Sequence, residues 1–219
     1  MKNQDLKNTV EYVLFDLDGT VSDSSEGITK SVQSALAAEG IFEELSALTK
    51  FIGPSLRYSF GLYTDDVQKR DRMLAVYRKR YGEIGWKENR LYDGMEELFD
   101  ALKKAGKHVV LASAKPEFYC VEILKYFGVY KYFDFVGGAT FDGSLDDKTA
   151  LLKYVLAEIG NPPAEKTVMI GDRIYDIEAA HNHGIKAVGV TYGFADRGEL
   201  VSADFLADSA EGLGKLLLA

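Results

Sequence analysis

Two aspartates one residue apart, Asp16 and Asp18, close the apolar run Val13-Leu14-Phe15 and are followed at once by Gly19-Thr20. In an extended strand, residues i and i+2 point to one face, so both carboxylates share a side. Carboxylates that close repel unless a cation or a proton stands between them. Gly19 lets the backbone turn sharply toward a ligand. A second acidic group, Asp172 and Asp176, follows another apolar run, Val168-Met169-Ile170-Gly171. Carboxylates converging from two strand ends call for a hard cation with oxygen ligands, most simply Mg²⁺. Lys148, in Asp146-Asp147-Lys148-Thr149, opens a helix, where a cation opposes the macrodipole; a carboxylate or phosphate in its reach would explain the placement. Ser113, in Ser113-Ala114-Lys115-Pro116, puts a hydroxyl after a strand, and Pro116 suits the start of the next helix, whose free N–H groups bind phosphate. Taken singly, each has a plainer assignment: a capped loop for Asp16 and Asp18, helix N-capping for Asp172 with a solvated Asp176, a surface lysine, a turn serine.

These residues need elements to position them. VEYVLFD, HVVLASA, KTVMIGD and KAVGVTYG read as strands apolar throughout, as in sheets buried on both faces; FDFVGG and ADFLAD are weaker additions. Met95, Leu98, Phe99 and Leu102 mark a helix face stopped by Gly106, and Leu151, Val155 and Ile159 mark another ended by Gly160 and Pro162. Strand and helix in alternation imply a parallel sheet covered on both sides, with ligands at the C-terminal strand ends. From Ser22 to Asn89 the alternation stops. Ile28, Val32 and Leu36, then Met73, Leu74, Tyr77 and Tyr81, outline helices of an inserted helical domain.

Composition narrows the function. With 47% hydrophobic and 27% charged residues over 219 positions, the chain reads as globular beyond the polar start Met1–Asn8. The single cysteine, Cys120, excludes an internal disulfide and a cysteine cluster, and reads as a small buried hydrophobe in a reducing, cytoplasmic setting. No apolar run is long enough to cross a bilayer, and the N-terminus makes a poor secretory signal. A net charge of −8 argues against a nucleic-acid polymer as partner. His108, His181 and His183 have no spacing tied to the acids; the last two are expected as ordinary polar residues on the last long helix.

In order and separation, DLDGT, Ser113 with Lys115-Pro116, Lys148 and GDRIYD with the later VTYG resemble the haloacid dehalogenase superfamily of phosphotransferases over almost the whole chain. Gly53-Pro54-Ser55-Leu56 resembles the cap loop of its phosphoglycolate phosphatase-like branch, and IGDRIYDIEAAHNHGIKAVGVTYG resembles that branch and its 5′-nucleotidase relatives. The resemblance implies an α/β, Rossmann-like doubly wound parallel-sheet core over 1–21 and 90–219, with a helical cap at 22–89. It implies Mg²⁺-dependent hydrolysis of a small phosphorylated metabolite, with Asp16 as nucleophile and Asp18 as acid and base. Mg²⁺ would be held by the Asp16 side chain, the Asp18 backbone carbonyl and Asp172, with Asp176 in support. Ser113 and Lys148 would grip the transferring oxygens, with Gly19, Thr20, Ala114 and Lys115 around the phosphate. Arg57, beside the cap loop, is the best cap candidate to meet an anionic substrate group, though its plainer assignment is a surface salt-bridge partner. Phosphoglycolate leads the substrates, with 5′-nucleotidase, sugar phosphatase and phosphomutase activities as alternatives. A phospho-receiver and a non-catalytic metabolite-binding protein are the readings from other classes. Monomer and homodimer are both compatible with the sequence.

Overall fold

The computed structural model describes residues 6–196 and 198–218. Most of the polar stretch Met1–Asn8 thus lies outside the described residues; its end joins a short helix, α1 (Leu6–Thr9). The chain divides into two compact units, residues 1–22 with 91–219, and residues 23–90.

The larger unit is built on β1 (Tyr12–Phe15), a strand of four residues with Val13, Leu14 and Phe15 fully buried. The chain leaves this unit along β2 (Ser22–Asp23) and returns along β3 (Arg90–Leu91), which form a separate two-stranded sheet. Between them lie α2 (Ser25–Ala37), α3 (Leu56–Gly61) and α4 (Val67–Glu83). After β3 come α5 (Met95–Lys104), β4 (His108–Pro116), α6 (Glu117–Tyr126), β5 (Phe135–Ala139) and α7 (Lys148–Glu158). Then follow β6 (Thr167–Gly171), α8 (Ile174–Asn182), β7 (Lys186–Val190), β8 (Phe205–Ala207) and α9 (Ala210–Leu217).

The large sheet runs β5-β4-β1-β6-β7-β8, parallel in each pairing. This is the doubly wound α/β architecture: the chain moves outward from β1 to β4 and β5, then returns to place β6 on the other side of β1. The crevice of such a sheet opens beyond the C-terminal ends of the strands at that reversal, here β1 and β6. Alternation along β1 feeds both faces. Leu14 joins Val110, Ala112 and Met169 in a buried cluster with Leu151, Leu152 and Val155 of α7 and Ile177 of α8. Phe15, its neighbour, meets Phe99 of α5 edge-on, ring centres 5.3 Å apart. Leu98, Phe99 and Leu102 bury the α5 stripe expected from the sequence.

The smaller unit packs α2 on α4. Val32 and Leu36 bury one stripe of α2, and Met73, Leu74, Tyr77 and Tyr81 one stripe of α4. Tyr77 and Tyr81, one turn apart, stack with ring centres at 5.4 Å. Gly27 is needed for close packing: a Cβ there would lie 1.9 Å from the carbonyl oxygen of Gly85. A 3-10 segment, Leu45–Phe51, precedes α3, with Phe51 edge-on to Phe60.

Candidate active site

The sheet register puts the acidic motifs at one end. Asp16 directly follows β1 and donates its backbone N–H to the carbonyl of Ile170 at 2.9 Å. Asp172 directly follows Gly171, the end of β6. Asp176 stands in the first turn of α8, and its carboxylate accepts the backbone N–H of Arg173 at 3.1 Å. One carboxylate oxygen from each of Asp16, Asp172 and Asp176 lies within 4.8 Å of the others. All three are buried, Asp172 completely. Asp172 is therefore not the N-cap of α8, and Asp176 is not solvated. Arg173 holds the N-cap position, and Glu199 accepts from the Arg173 guanidinium at 2.8 Å and from the Ile174 backbone at 3.0 Å.

Lys148 is the first residue of α7, behind an Asp147 N-cap whose carboxylate accepts the Ala150 N–H at 2.8 Å. Its ammonium reaches Asp16 Oδ1 at 2.5 Å and Asp176 Oδ1 at 2.8 Å. The unfavourable position at a helix start is offset by two buried carboxylates. Burial opposes protonation of Lys148, but Asp16 and Asp176 outweigh it and raise its pKa above the ordinary range. Burial, together with the charge of Asp176 and against the pull of Lys148, pushes Asp16 up to about 6. Burial, then Asp176 and Asp16, raises Asp172 well above a normal carboxylate.

Gly19 turns the chain beneath this cluster at φ +86°, and a Cβ there would lie 2.1 Å from Asp172 Oδ2. Thr20 is fully buried and its hydroxyl points to Asp172 Oδ1 at 3.5 Å, a weak contact. Phe15 pairs with Leu111, so Ser113 stands two residues further along β4, one strand from the Asp16 loop. Ser113 is buried, and its hydroxyl accepts the Lys115 N–H at 3.4 Å. Ala114 is half-buried. Lys115 is buried too, and its ammonium meets Asp18 Oδ2 at 2.6 Å. The other Asp18 oxygen, Oδ1, is buried with no hydrogen-bond partner. β4 extends as far as Pro116, with an irregular register after Ser113, so the strand itself carries Lys115 to Asp18.

The larger unit thus brings together Asp16, Lys148, Asp172 and Asp176, with Gly19 and Thr20 against Asp172 and Lys115 on Asp18. Arg57 is elsewhere, on α3 of the smaller unit, paired with Asp71 at 3.1 Å on an exposed surface. Cys120 is a buried α6 residue whose thiol pKa burial pushes up. His181 ends α8 against Asp204, and His183 lies just past that helix, 3.0 Å from the Thr149 carbonyl. His181 is thus a polar residue of the helix that follows the GDRIYD motif, whereas His183 falls just outside it, where Gly184 at φ +69° ends the helix.

Sequence reasoning missed the Lys115–Asp18 pair and the Phe194 backbone N–H, which donates to Asp172 Oδ2 at 2.7 Å. A main-chain donor has no residue-type signature; Gly193 beside it was the available hint.

The arrangement fits a divalent cation. Lys148 meets two of the three buried carboxylates, Asp16 and Asp176, leaving negative charge that only protons or a cation can balance. The donors are all oxygens, the set that Mg²⁺ prefers. No helix among the described residues is long and apolar enough to cross a membrane.

Residues 13–190 match the family model described as haloacid dehalogenase-like hydrolase. A 5′-nucleotidase of Pseudomonas aeruginosa is 40% identical over 190 residues, 86% of each chain. Tyrosine-protein kinase PtkA of Mycobacterium tuberculosis is 35% identical over 84% of this chain and 63% of its own length. A phosphoglycolate phosphatase of Vibrio parahaemolyticus is 33% identical over 97% of this chain and 96% of its own. The crystal structure of a predicted phosphatase from Clostridium acetobutylicum superimposes with a TM-score of 0.89 at 40% identity, covering 94% of this chain and 97% of that one.

Proposed function

The chain belongs to the haloacid dehalogenase-like hydrolases and is a phosphatase of that family, and we propose that it hydrolyses a small phosphomonoester, with Mg²⁺, through an aspartyl phosphate on Asp16. The observation that carries this reading is the Asp16 carboxylate at the end of β1, held on one oxygen by Lys148 and flanked by two further buried carboxylates.

Asp16, Asp172 and the Asp18 backbone carbonyl are the proposed Mg²⁺ ligands, with Asp176 behind them. A Mg²⁺ held there would cancel the repulsion between an anionic nucleophile and a phosphate dianion. Lys148 keeps one Asp16 oxygen fixed, which directs the other at phosphorus. The Asp16–phosphorus bond forms as the phosphorus–oxygen bond to the leaving group breaks. Asp18 gives the leaving oxygen its proton, and its unpartnered Oδ1 supports that role. Water then attacks the acyl phosphate while Asp18 takes its proton back, which restores Asp16 and frees inorganic phosphate. Ser113 and Lys148 grip the transferring oxygens, with Gly19, Thr20, Ala114 and Lys115 around them.

The substrate reading is 2-phosphoglycolate. The 40% identity to a 5′-nucleotidase favours a nucleoside 5′-monophosphate as the second. Comparison of kcat/KM for the two separates them. Steady-state phosphate release in Mg²⁺ is expected from the wild type and not from Asp16→Asn, which keeps shape and loses the nucleophile. Release that survives Asp16→Asn, or complete removal of divalent metal, overturns the mechanism. Transfer to a tyrosine without free phosphate would move the activity from hydrolase to kinase.

A further inference from the structure

The segment Tyr192-Gly193-Phe194, just past β7, touches both acid-bearing loops. Phe194 donates its N–H to Asp172 Oδ2. Gly193 packs so closely that a Cβ would fall 2.4 Å from Asp172 Cβ and from the Gly19 carbonyl oxygen. The Tyr192 hydroxyl donates to the Thr20 carbonyl at 2.9 Å. Its ring meets Tyr92 edge-on, ring centres 4.8 Å apart. The Tyr92 backbone N–H in turn donates to the Val21 carbonyl at 3.2 Å. Two tyrosines in ring contact therefore hold two consecutive carbonyls of the loop that begins at Asp16.

We infer that Tyr192 is a positioning residue, whose hydroxyl fixes the Thr20 carbonyl and with it the Gly19-Thr20 turn against Asp172, and so holds Asp16 and Asp172 at cation-binding separation. The inference rests on reading those two carboxylates as ligands of Mg²⁺. Like charges drift apart unless the scaffold restrains them, so a cation gains most from a pair already held together. Thr20 is fully buried, and its carbonyl loses a donor when the phenol is removed. Partners that orient metal ligands are typically worth about 10–100-fold in affinity or activity.

The test is Y192F, which removes one oxygen and keeps the ring against Tyr92. Mg²⁺ binding is measured by calorimetry without substrate, kcat and KM with it, and Tm in chelator. The expected result is Mg²⁺ affinity and kcat each lowered about tenfold, KM within about twofold, and a chelated Tm lowered by no more than several degrees, so that the protein stays folded in the assay. Y92L, which leaves the hydroxyl but removes its ring support, should shift both quantities the same way by less, and it stands in if Y192F does not fold. Unchanged Mg²⁺ affinity and kcat in Y192F overturn the inference. So does a loss of kcat matched by an equal loss of folded protein, since that marks stability alone. A wild type that binds no Mg²⁺ sinks the reading of the carboxylates instead.

Discussion

The two units use charge differently. Residues 23–90 carry 11 Lys and Arg against 10 Asp and Glu, whereas the remainder carries 15 against 24. Among the described residues, each buried charged side chain is in the larger unit: Asp16, Lys107, Lys115, Lys148, Asp172 and Asp176. The smaller unit buries only hydroxyls, those of Ser24, Thr29, Ser31 and Ser59, among its polar side chains apart from tyrosine. Several of its ion pairs, such as Arg57–Asp71, lie where solvent screens them, while Arg80–Glu88 is half-buried. Burying unbalanced charge destabilises a protein, so the larger unit sacrifices stability where chemistry needs it. The smaller unit buries no charge, and substitutions of its exposed charged residues should act on substrate choice or marginally on stability.

The sharpest way to break that comparison, after Asp16 itself, is Lys148→Met. It leaves three carboxylates together with no internal cation. Loss of one charge-stabilising group of this kind costs roughly 10²–10³ in kcat. Steady-state kinetics at saturating Mg²⁺ checks this. A loss below tenfold would put Lys148 among structural residues and remove the reason for its burial.

Next in size is a coupling of pH, metal and stability. Asp16 sits at about 6 in the metal-free fold, above its ordinary value, because of burial. Between about pH 4 and 6 the folded state therefore holds a proton that the unfolded chain has released, and stability falls as pH rises through that window. Asp172, raised for the same first reason, extends the fall upward. Mg²⁺ needs the ionised carboxylates, so its stabilisation grows over the same range. The gap between Tm with Mg²⁺ and Tm in chelator should widen from pH 5 to pH 7. A constant gap would mean that these acids do not hold the ion.

Much of the larger unit was legible in sequence, for a physical reason. Strands buried on both faces read as unbroken apolar runs, and ligand-binding loops of such sheets lie at the C-terminal strand ends. Asp16, Ser113 and Asp172 therefore advertise themselves by position. Their partners do not. Lys115 meets Asp18 because β4 stays extended through Pro116, and Phe194 meets Asp172 through a backbone N–H. The α8 N-cap was misleading because Asp172, the residue type preferred at a cap, is taken by Phe194 and Thr20, while Asp176 reaches back to the Arg173 N–H. In the smaller unit, the periodicity of α2 and α4 shows which residues are buried but not what the exposed ones read.

Arg57 tests that last point with a smaller effect. Proposed to meet an anionic group on the substrate, it is paired with Asp71 in the structure. Arg57→Ala should raise KM for 2-phosphoglycolate by about tenfold, the value of one exposed charge-assisted contact, and leave kcat unchanged. An equal KM for 2-phosphoglycolate and for an uncharged alkyl phosphate, in both wild type and variant, would reduce Arg57 to a surface ion pair.

The smallest expected effect sharpens the comparison most cleanly. Arg72 of α4 makes a two-pronged contact with Glu39, at 2.7 and 2.9 Å, as good in geometry as the Lys148–Asp16 contact. What differs is the cation's surrounding: the Arg72 side chain is 57% exposed and that of Lys148 8%, while the partners Glu39 and Asp16 are 14% and 11% exposed. Water already solvates the Arg72 guanidinium, and truncating that exposed side chain uncovers Glu39 to water; removing Lys148 strands its partners in a dry interior. Arg72→Ala should lower Tm by less than about 2 °C and leave kcat/KM unchanged. A shift several times larger, read by calorimetry, would show that the smaller unit also depends on its charges, and that exposure rather than contact geometry was the wrong measure of what an ion pair contributes here.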